Sequence, residues 1–564
     1  MPKMTLQKTL EVAVSQHQAG YLTEAERLYR QALEQYPNQP DALNLLGVIT
    51  AQNGDLDQAL TLFDKAIAAA PSLAVIPFNK GNALRDAGRT DEAQTAYEDA
   101  LSRDPKFQDA LLNLSVLLQE SGQTKLALQH LKTLVESNPN HHKAHYNIGK
   151  CYQELGHLDD AVNAFQTALT LNSNDHDAHF AIANVYADRG QYDNAITHIK
   201  TAINIKPDWA QAYINLGNYL TGIDCHDEAL VFYDRALELD ANNVNARANR
   251  GLTLLTLGRL EEGWSDYAAR AKSDAPFYGT FENNLPQWQG EDLAKKNVLV
   301  LGEQALGEEV LFASFLPNLA PTVQSCTLLC STKLKTVFTR SFADVSNLHV
   351  TDKLDGGADL IDLDLQLSLV DLGRVFRPSM SAFPEAHPYL VWNTDLRTAL
   401  RAHLEDQYGA DQKFIGISWA SANPLIGGIK SIPLIEWAPL LSTSGVTFVN
   451  VQYGQPAQDI AALPDNLRKK IALIDMVDLN GDLDETLSLL AALDQVITCS
   501  NTTAHLAGAV GLSTRVLVPN GRARIWYWFK EGASSPWYKD TRLVRKSVND
   551  GWDKVMGQIA SGDQ

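Results

Sequence analysis

Small and aromatic residues recur every 34 residues through the first half of the chain, with polar residues between them. Alanine holds one recurring position, at Ala25, Ala59, Ala93, Ala127, Ala161, Ala195 and Ala229, and glycine holds it at Gly263. A large apolar residue follows four positions later, at Tyr29, Phe63, Tyr97, Leu131, Phe165, Ile199, Tyr233 and Tyr267. Residues four apart lie on one face of a helix, and this period accommodates two helices with their turns. The pattern therefore predicts eight helix-turn-helix units over residues 6–277.

Asparagine also follows this period, at a position on the first helix of each unit. The series is Asn79, Asn113, Asn147, Asn215 and Asn249, with Ala181 where one further asparagine would stand. In stacked repeats a recurring position forms a continuous line, and carboxamides can both donate to and accept from a peptide backbone. We predict that these asparagines bind an extended polypeptide; the alternative is ordinary packing between helices.

After residue 277 the repeats end and short apolar runs with β-branched residues replace them. Five of the runs predict buried strands, at 297–302, 413–420, 446–454, 494–500 and 514–519. Helical patterns lie between them, and this alternation predicts an α/β fold of two doubly wound halves with a hinge near 390–412. The predicted domains are the repeats at 1–277, a linker at 278–296, and the two halves at 297–395 and 396–564.

The segment CSNTTAHLAGAVG, residues 499–511, combines the end of a strand with the start of a helix. The strand is predicted to end at Ser500, and Asn501, Thr502 and Thr503 are residue types that cap helices. Free backbone amides and the positive end of the helix would then face the crevice beyond the strands, which favours phosphate binding. His505 lies on the first turn and is predicted to point to the same place, or else to serve in capping.

The charge of the chain limits the classes of partner. A formal net charge of −20 does not favour general nucleic-acid binding, which needs a basic surface. One basic stretch stands out in this acidic protein and predicts an anionic ligand or, alternatively, a solvated face. Its members are Arg515, Arg522, Arg524, Lys530, Lys539, Arg542, Arg545 and Lys546. The aromatic residues Trp526, Tyr527, Trp528, Trp537 and Tyr538 lie within it and could stack a base or sugar, or pack in the core.

The remaining composition indicates the compartment. Five scattered cysteines lack the spacing of a zinc site and fit a reducing compartment. The first residues have no apolar signal region, and no segment reaches the length of a membrane span. We expect a cytoplasmic protein without membrane insertion.

Two family resemblances follow from these motifs. The 34-residue units resemble tetratricopeptide repeats, and residues 286–556 resemble the GT-B glycosyltransferases related to bacterial heptosyltransferases. The strings that carry the second resemblance are PQWQGEDL, EQALGEEVLFASFLPNL, GISWAS, KSIPLIEWAPLL, FVNVQYG, CSNTTAHLAGAVG and SPWYKDTRLVRKS. Together the resemblances imply an α superhelix of tetratricopeptide repeats followed by a GT-B domain of two Rossmann-like halves.

The glycosyltransferase resemblance implies roles for particular residues. Glu308 stands where the family has an aspartate that acts as candidate general base, and such a base would deprotonate a hydroxyl acceptor. Lys430 matches a basic residue that faces the donor phosphates and could stabilise the leaving group. Gln452 lies at a strand end that contacts the donor. The family's phosphate-binding turn corresponds to Ser500, Asn501, Thr502, Thr503 and His505.

The implied activity is protein O-glycosylation. Tetratricopeptide-fused enzymes similar to this chain include bacterial flagellin glycosyltransferases, some of which transfer nonulosonic acids such as pseudaminic acid. The acceptor is therefore predicted to be Ser or Thr of a polypeptide, with flagellin favoured, and the donor a CMP-, UDP-, GDP- or ADP-linked sugar. No further cofactor and no metal are expected, although Asp362–Asp364 and Asp482–Asp484 spell the Asp-x-Asp motif of metal-dependent transferases.

Three departures from the family pattern keep alternatives open. The family often has an acidic residue in place of Ser500, glycine in place of Ala305, and aspartate in place of Glu308. Glu308 could simply be a carboxylate at a helix N-terminus. The first alternative function is a non-catalytic tetratricopeptide scaffold with an inactive GT-B domain. The second is a lipopolysaccharide-type glycosyltransferase, which would leave the asparagine series without a role.

Overall fold

The computed structural model describes residues 5–272, 285–303, 305–354, 362–423, 426–481, 483–546 and 550–562. Residues 278–284 of the predicted linker and Asp482 lie outside the described residues. The chain forms two compact units, Met1–Pro207 and Asp208–Gln564. The predicted boundary at residue 277 also lies outside the described residues, and the two compact units divide within the repeats.

The first unit consists of paired helices. They are α1 Leu6–Gln18, α2 Leu22–Gln35, α3 Pro40–Gln52, α4 Leu56–Ala69, α5 Val75–Asp86, α6 Thr90–Arg103, α7 Gln108–Glu120, α8 Thr124–Ser137, α9 His142–Glu154, α10 Leu158–Leu171, α11 His176–Asp188 and α12 Tyr192–Ile205. The second unit opens with two more pairs, α13 Ala210–Gly222, α14 His226–Leu239, α15 Val244–Thr256 and α16 Leu260–Tyr267. The prediction of consecutive helix-turn-helix units is confirmed.

The small and aromatic positions form the contact between the two helices of each unit. A Cβ atom on Gly81 of α5 would come within 2.7 Å of the Tyr97 ring of α6, and one on Gly149 within 2.5 Å of the Phe165 ring. Both rings are fully buried. A glycine on the first helix thus admits the aromatic residue of the second, which explains why both recur with the same period.

The turn within each pair uses a left-handed backbone. Glycine occupies this turn at Gly20, Gly54, Gly88, Gly122, Gly156, Gly190 and Gly258, with φ between 71 and 90°. The seventh pair has Asp224 at the same position of the 34-residue period, with φ of 63°. Aspartate adopts this conformation less readily than glycine. The substitution therefore needs a compensating interaction, which lies within the second unit.

Two parallel sheets follow the repeats in the second unit. The first contains β1 Asn297–Leu301, β2 Ser325–Leu329, β3 Leu348–Thr351 and β4 Leu365–Ser368, in the order β3-β2-β1-β4. The second contains β5 Lys413–Ser418, β6 Val446–Asn450, β7 Ile471–Ala472, β8 Gln495–Cys499, β9 Thr514–Val518 and β10 Thr541–Arg545, in the order β10-β9-β8-β5-β6-β7. The predicted α/β class and all five predicted strands are confirmed.

Helices connect these strands and cover the sheets. The helix after β1 is α17, Leu306–Ala313. The others are Leu316–Leu319, Thr332–Ser341, Gly373–Phe376, Thr394–Tyr408, Gly427–Lys430, Ala438–Leu441, Ala457–Ala461, Asp465–Arg468, Leu483–Ala491, Thr502–Ala509 and Trp552–Ser561. The predicted boundary between the halves, at residues 395 and 396, falls inside the helix Thr394–Tyr408.

Strand order locates the expected ligand crevices. In each sheet the strands that follow the first strand are added on one side of it and then on the other. The switch point lies between β1 and β4 in the first sheet and between β5 and β8 in the second. Ligands of open α/β sheets bind beyond the carboxyl ends of strands at such a switch point. The segments that follow β1, β5 and β8 are therefore the place to look for a site.

Candidate active site

Glu308 lies on the first turn of α17, directly beyond the carboxyl end of β1. Its side chain is half-buried. Burial raises the pKa of its carboxyl above the ordinary range, while the positive charges of Arg270 and Lys430 oppose that rise. A carboxylate with a raised pKa holds a proton more strongly than usual, which is the property a general base requires.

Lys430 supplies a cation whose charge acts on this carboxylate. It ends the short helix Gly427–Lys430 and is only 6% exposed. Burial lowers the pKa of its ammonium, and the negative charge of Glu308 acts in the opposite direction. Within the described part of the chain, this ammonium has no hydrogen bond or ion pair. A nearly buried cation without a close partner is suited to receive an anionic group of a ligand.

Arg270 and Glu303 extend this charged site and were missed by the sequence analysis. Arg270 is buried, lies over the Tyr267 ring at 4.1 Å, and places Nη2 3.5 Å from Oδ1 of Asp371. Glu303 accepts a hydrogen bond from the Val370 N–H at 2.9 Å, and burial raises its pKa to about 8. The position of Glu303 directly after a predicted strand was the available signal, whereas Arg270 lies near the end of the repeats.

Gly307 brings α17 against the helix that follows β8. A Cβ atom there would lie 2.7 Å from Cδ2 of His505, so only glycine permits this approach. His505 is 1% exposed, stacks on Trp528 at 5.0 Å, and shares a 2.9 Å hydrogen bond between Nδ1 and the Tyr538 hydroxyl. Burial lowers the pKa of His505 to about 3. The imidazole is therefore neutral at physiological pH and enclosed by aromatic rings, which limits direct contact with a phosphate.

The turn after β8 is built differently from the prediction. Asn501 holds the N-cap position of the helix Thr502–Ala509, but its side chain makes no capping hydrogen bond, so the predicted capping role is wrong. Its Nδ2 instead donates to the Ser418 hydroxyl at 2.7 Å and to the Ala420 carbonyl at 3.0 Å. Asn501 thus joins the ends of β5 and β8 at the switch point. This leaves the first amides of the helix without a side-chain cap.

The neighbouring residues of this turn differ in exposure. Ser500 is buried, and its hydroxyl accepts a 2.8 Å hydrogen bond from the Trp528 indole. Thr503 is buried, whereas Thr502 is partly exposed. Among these threonines, Thr502 therefore has the better access to a ligand beyond the sheet, and a role for Ser500 in binding would be indirect.

Gln452 holds the chain at the carboxyl end of β5. Its Oε1 accepts hydrogen bonds from the Ser418 hydroxyl at 2.9 Å, the Trp419 N–H at 2.9 Å and the Ala420 N–H at 2.8 Å. Its Nε2 donates to the Tyr453 carbonyl at 2.7 Å. The carboxamide is 4% exposed and is occupied by these four bonds. Gln452 therefore organises the segment after β5, and the predicted contact with a donor would have to pass through its neighbours.

Replacing Gln452 by alanine is expected to lower the free energy of unfolding by about 3 kcal/mol, because three donors at the end of β5 lose their shared acceptor. Chemical denaturation of the full chain measures this change. Exposed Gln458 provides a matched alanine control with an expected change near zero. An equal, small effect of both variants would contradict the structural role of Gln452.

One cavity of about 340 Å³ connects the candidate base with the repeats of the second unit. Its wall includes Asn218, Asn249, Tyr267, Glu308, Arg522 and Trp526. Asn249 belongs to the predicted asparagine series, and Asn218 lies one helical turn beyond another member, Asn215. The carboxylate and the carboxamides therefore face the same space.

The asparagines of the series form hydrogen bonds with asparagines outside the series or with their own helix. In the first unit, Asn79 donates to Asn44 at 3.1 Å, Asn113 donates to Asn82 at 2.9 Å, and Asn147 donates to its own helix at the Lys143 carbonyl. These bonds order the side chains along the first helices of the units. Each carboxamide still has further lone pairs or protons to offer a ligand.

The last members of the series repeat this arrangement in the second unit. Asn215 accepts a 2.9 Å hydrogen bond from Gln211, and Asn249 donates to Asn218 at 2.9 Å. Asn218 also accepts from the Tyr233 hydroxyl at 2.8 Å. The side chain of Asn218 is thus held from two sides where it lines the cavity.

The basic stretch does not form a single site. Arg545 donates to the carbonyl groups of Trp528 and Phe529, and Arg524 pairs with Asp224 at 2.8 Å. Arg515 and Arg542 are register partners on β9 and β10 near the amino ends of the strands, away from the switch point. The five aromatic residues of the stretch are buried and pack in the core. Only part of this stretch, around Arg522 and Arg524, reaches the cavity.

The two Asp-x-Asp sequences contain three aspartates that the structure describes, Asp362, Asp364 and Asp484. Asp364 immediately precedes β4, at the amino end of the strand, and its Oδ2 accepts from the Asn297 N–H at 2.8 Å. Asp484 forms an ion pair with Arg340. None of these three aspartates lines the cavity at Glu308.

Comparison with known proteins identifies the repeats. Family models described as tetratricopeptide repeat match residues 15–74, 84–151, 142–175 and 210–243, and one described as TPR repeat matches residues 183–222. Together with the paired helices, these matches show that the first part of the chain consists of tetratricopeptide repeats.

One curated relative is Protein FlbA of Caulobacter vibrioides. It is 33% identical over 329 residues, which cover 55% of this chain and 54% of that protein. The chain therefore spans about half the length of this relative. The matched share is larger than the predicted repeat region, so the likeness continues into the α/β region.

Solved structures with similarity to the chain include other repeat proteins. MamA is 29% identical and covers 30% of this chain and 94% of its own, with a TM-score of 0.29. YrrB, described as a TPR protein with an unusual peptide-binding site, is 27% identical and covers 33% of this chain and 95% of its own, with a TM-score of 0.30. A repeat protein from Parabacteroides merdae is 20% identical and covers 44% and 98%, with a TM-score of 0.35.

Across the described ranges, no helix combines the length and the apolar character needed to cross a lipid bilayer.

Proposed function

We propose that this protein is a metal-independent glycosyltransferase that modifies Ser or Thr hydroxyls of a polypeptide held by the repeats. The observation that carries the proposal is the shared cavity, whose wall includes Glu308, Asn218 and Asn249. A polypeptide bound along the carboxamides would bring a hydroxyl to the carboxylate. The resemblance of residues 286–556 to GT-B enzymes supplies the reaction class.

The residues of the site suit each part of this reaction. The acceptor hydroxyl attacks the anomeric carbon of the sugar and gives its proton to Glu308, while the bond from that carbon to the phosphate oxygen breaks. Lys430 then neutralises the charge that develops on the departing nucleotide phosphate. The uncapped amides of the helix Thr502–Ala509 provide further donors for the phosphate. The arrangement requires no group beyond the nucleotide sugar.

The direct test combines the purified full chain with candidate acceptor and donors. Unmodified flagellin is incubated with CMP-pseudaminic acid and with UDP-, GDP- and ADP-linked sugars, and its intact mass is measured. Discrete increments of one sugar mass support the proposal and identify the donor. If no donor yields an increment, yet deletion of the gene alters flagellin in cells and a Glu308→Gln protein restores it, the chain acts as a scaffold instead.

Replacing Asn249 by alanine is expected to raise the KM for the polypeptide acceptor about fivefold and to leave kcat unchanged, because a neutral hydrogen bond of about 1 kcal/mol is lost equally from the bound and transition states. Steady-state kinetics with varied acceptor concentration measure this split. The matched control is Asn242→Ala, at an exposed position of the preceding turn. A loss confined to kcat would contradict a binding role for Asn249.

A further inference from the structure

The seventh helix pair departs from the glycine pattern of the turns at Asp224. Its carboxylate accepts the Gly521 N–H at 3.1 Å and receives the Arg524 guanidinium, with Nη1 at 2.8 Å from Oδ1 and Nη2 at 3.3 Å from Oδ2. These bonds compensate for its left-handed backbone. Asp224 therefore ties a repeat turn to the segment 520–524, which follows β9.

The turn of the seventh helix pair and the segment 520–524 approach each other closely at Gly521. Gly521 has φ of 59°, and a Cβ atom there would lie 2.2 Å from the Gly222 carbonyl oxygen. No other residue fits without displacing one of the segments. The segment 520–524 is therefore held in a fixed place on the cavity wall.

This segment presents two guanidinium groups to the cavity, and they differ in their partners. The Arg524 side chain is 4% exposed, and Asp224 neutralises its charge. Arg522 is exposed, and it forms no hydrogen bond or ion pair with any residue that the structure describes. Among the described residues of the cavity wall, Arg522 is therefore a cation without a partner, and it lies on a fixed segment that lines the same cavity as Glu308.

The rest of the wall suits a polypeptide backbone with one acidic side chain. Thr221, Asn249, Thr253 and Thr256 contribute neutral hydrogen-bonding groups. Burial lowers the pKa of His226, so that this residue of the wall is neutral at pH 7. One carboxylate of a ligand would match the guanidinium of Arg522.

We propose that Arg522 is a specificity-determining residue that binds an Asp or Glu side chain of the acceptor polypeptide near the modified hydroxyl. The inference deepens the proposed transferase function and rests on it, because the bound polypeptide is an acceptor only if the protein transfers a sugar. A donor phosphate is the less suitable partner, because Arg522 follows β9, one strand away from the switch point between β5 and β8. The same cavity wall includes Asn218 and Asn249 of the repeats.

Fluorescence anisotropy with the purified full chain tests this assignment without turnover. The probes are three labelled Ser/Thr-containing peptides that differ only at one central residue, which is Asp, Asn or Lys. The Asp peptide is expected to bind about threefold more tightly than the Asn peptide at low salt, as for an exposed ion pair, and the difference should shrink as salt is added. The Lys peptide should bind most weakly.

Arg522→Glu should reverse the order of the Asp and Lys peptides, whereas Arg522→Lys should retain a preference for Asp. The matched control is Arg542→Glu, which makes the same change in net charge at an exposed residue near the amino ends of the strands and should leave the order unchanged.

Three results would overturn the assignment. They are equal binding of the Asp and Asn peptides to the unmodified protein, equal effects of Arg522→Glu and Arg542→Glu, and loss of nucleotide-sugar binding in Arg522→Glu with the peptide order unchanged. A peptide preference that depends on Arg522 would stand even if no sugar transfer were detected. The failure of the proposed function and the failure of this assignment can thus be distinguished.

Discussion

Glu308→Gln is expected to reduce sugar transfer about a thousandfold while the acceptor polypeptide still binds, because the amide cannot take the proton of the attacking hydroxyl. The substitution preserves the size of the side chain at a half-buried position and removes only its basicity. Intact-mass measurement of the acceptor over time gives the rate, and anisotropy of a labelled peptide gives the affinity.

The pH dependence of the unmodified protein provides a second readout of Glu308. Burial raises the pKa of this carboxyl, and the base must be unprotonated, so activity should fall on the acid side at a pH above the ordinary range of glutamate. The folded state also holds this proton more strongly than the unfolded chain. The contribution of Glu308 to stability therefore decreases as pH rises from the ordinary glutamate value through the folded pKa, and Glu308→Gln should remove that dependence.

Glu308→Asp is the informative companion variant, since it retains the carboxylate but shortens the side chain by one methylene. Partial activity in Glu308→Asp and loss in Glu308→Gln would together assign the role to the carboxylate. Equal rates in the unmodified protein and Glu308→Gln would reject Glu308 as the base and direct attention to Glu303.

Lys430→Met is expected to reduce kcat by about a hundred- to a thousandfold, the usual effect of removing one group that stabilises a developing charge. The variant should nevertheless be no less stable than the unmodified protein, because it removes a nearly buried ammonium that has no close partner among the described residues. Kinetics with saturating acceptor and thermal unfolding of the full chain measure the two properties. Loss of both would indicate a structural role instead.

The pH profile of Lys430→Met distinguishes the loss of a charge at the site from the loss of structure as the cause of a lower rate. The charge of Lys430 lowers the pKa of Glu308, so its removal should shift the acid side of the residual activity to higher pH.

The pKa of Lys430 itself is lowered by burial, and the unfolded chain therefore binds this proton more strongly. In the unmodified protein, the Lys430 contribution to stability rises as pH passes from the folded pKa to the ordinary lysine value, and Lys430→Met should abolish that rise. Lys469→Met, at an exposed lysine, is the matched control for both measurements.

Most of the fold could be predicted from the sequence because its signals are periodic or continuous. The repeats carry the same contacts in every unit, and the five predicted strands are continuous apolar runs. The five missed strands are β2, β3, β4, β7 and β10. Four of these, β3, β4, β7 and β10, lie at the edges of their sheets, and β2 alternates buried and half-buried positions. Such strands lack the continuous apolar run by which a strand buried on both faces is recognised.

The candidate site was harder to predict, because a side chain's residue type does not specify its partner. Asn501 and Gln452 stand at the strand ends where they were expected, yet their carboxamides bind the segment after β5. Arg270 enters the site from the end of the repeats, and only tertiary structure brings it there. Asp224 left a clearer signal, since it interrupts a series of seven glycines, although a break in a period does not reveal what the new residue binds.

The bond between Asp224 and Arg524 also bears on how the number of repeats can change. Each tetratricopeptide unit packs mainly on its immediate neighbours, so units can be gained or lost by duplication with little effect on distant ones. Units before the seventh could vary in number without disturbing this bond. A unit inserted between Asp224 and the α/β region would move the carboxylate out of reach of Arg524. The length of the array is thus free to evolve at its beginning and constrained at its end.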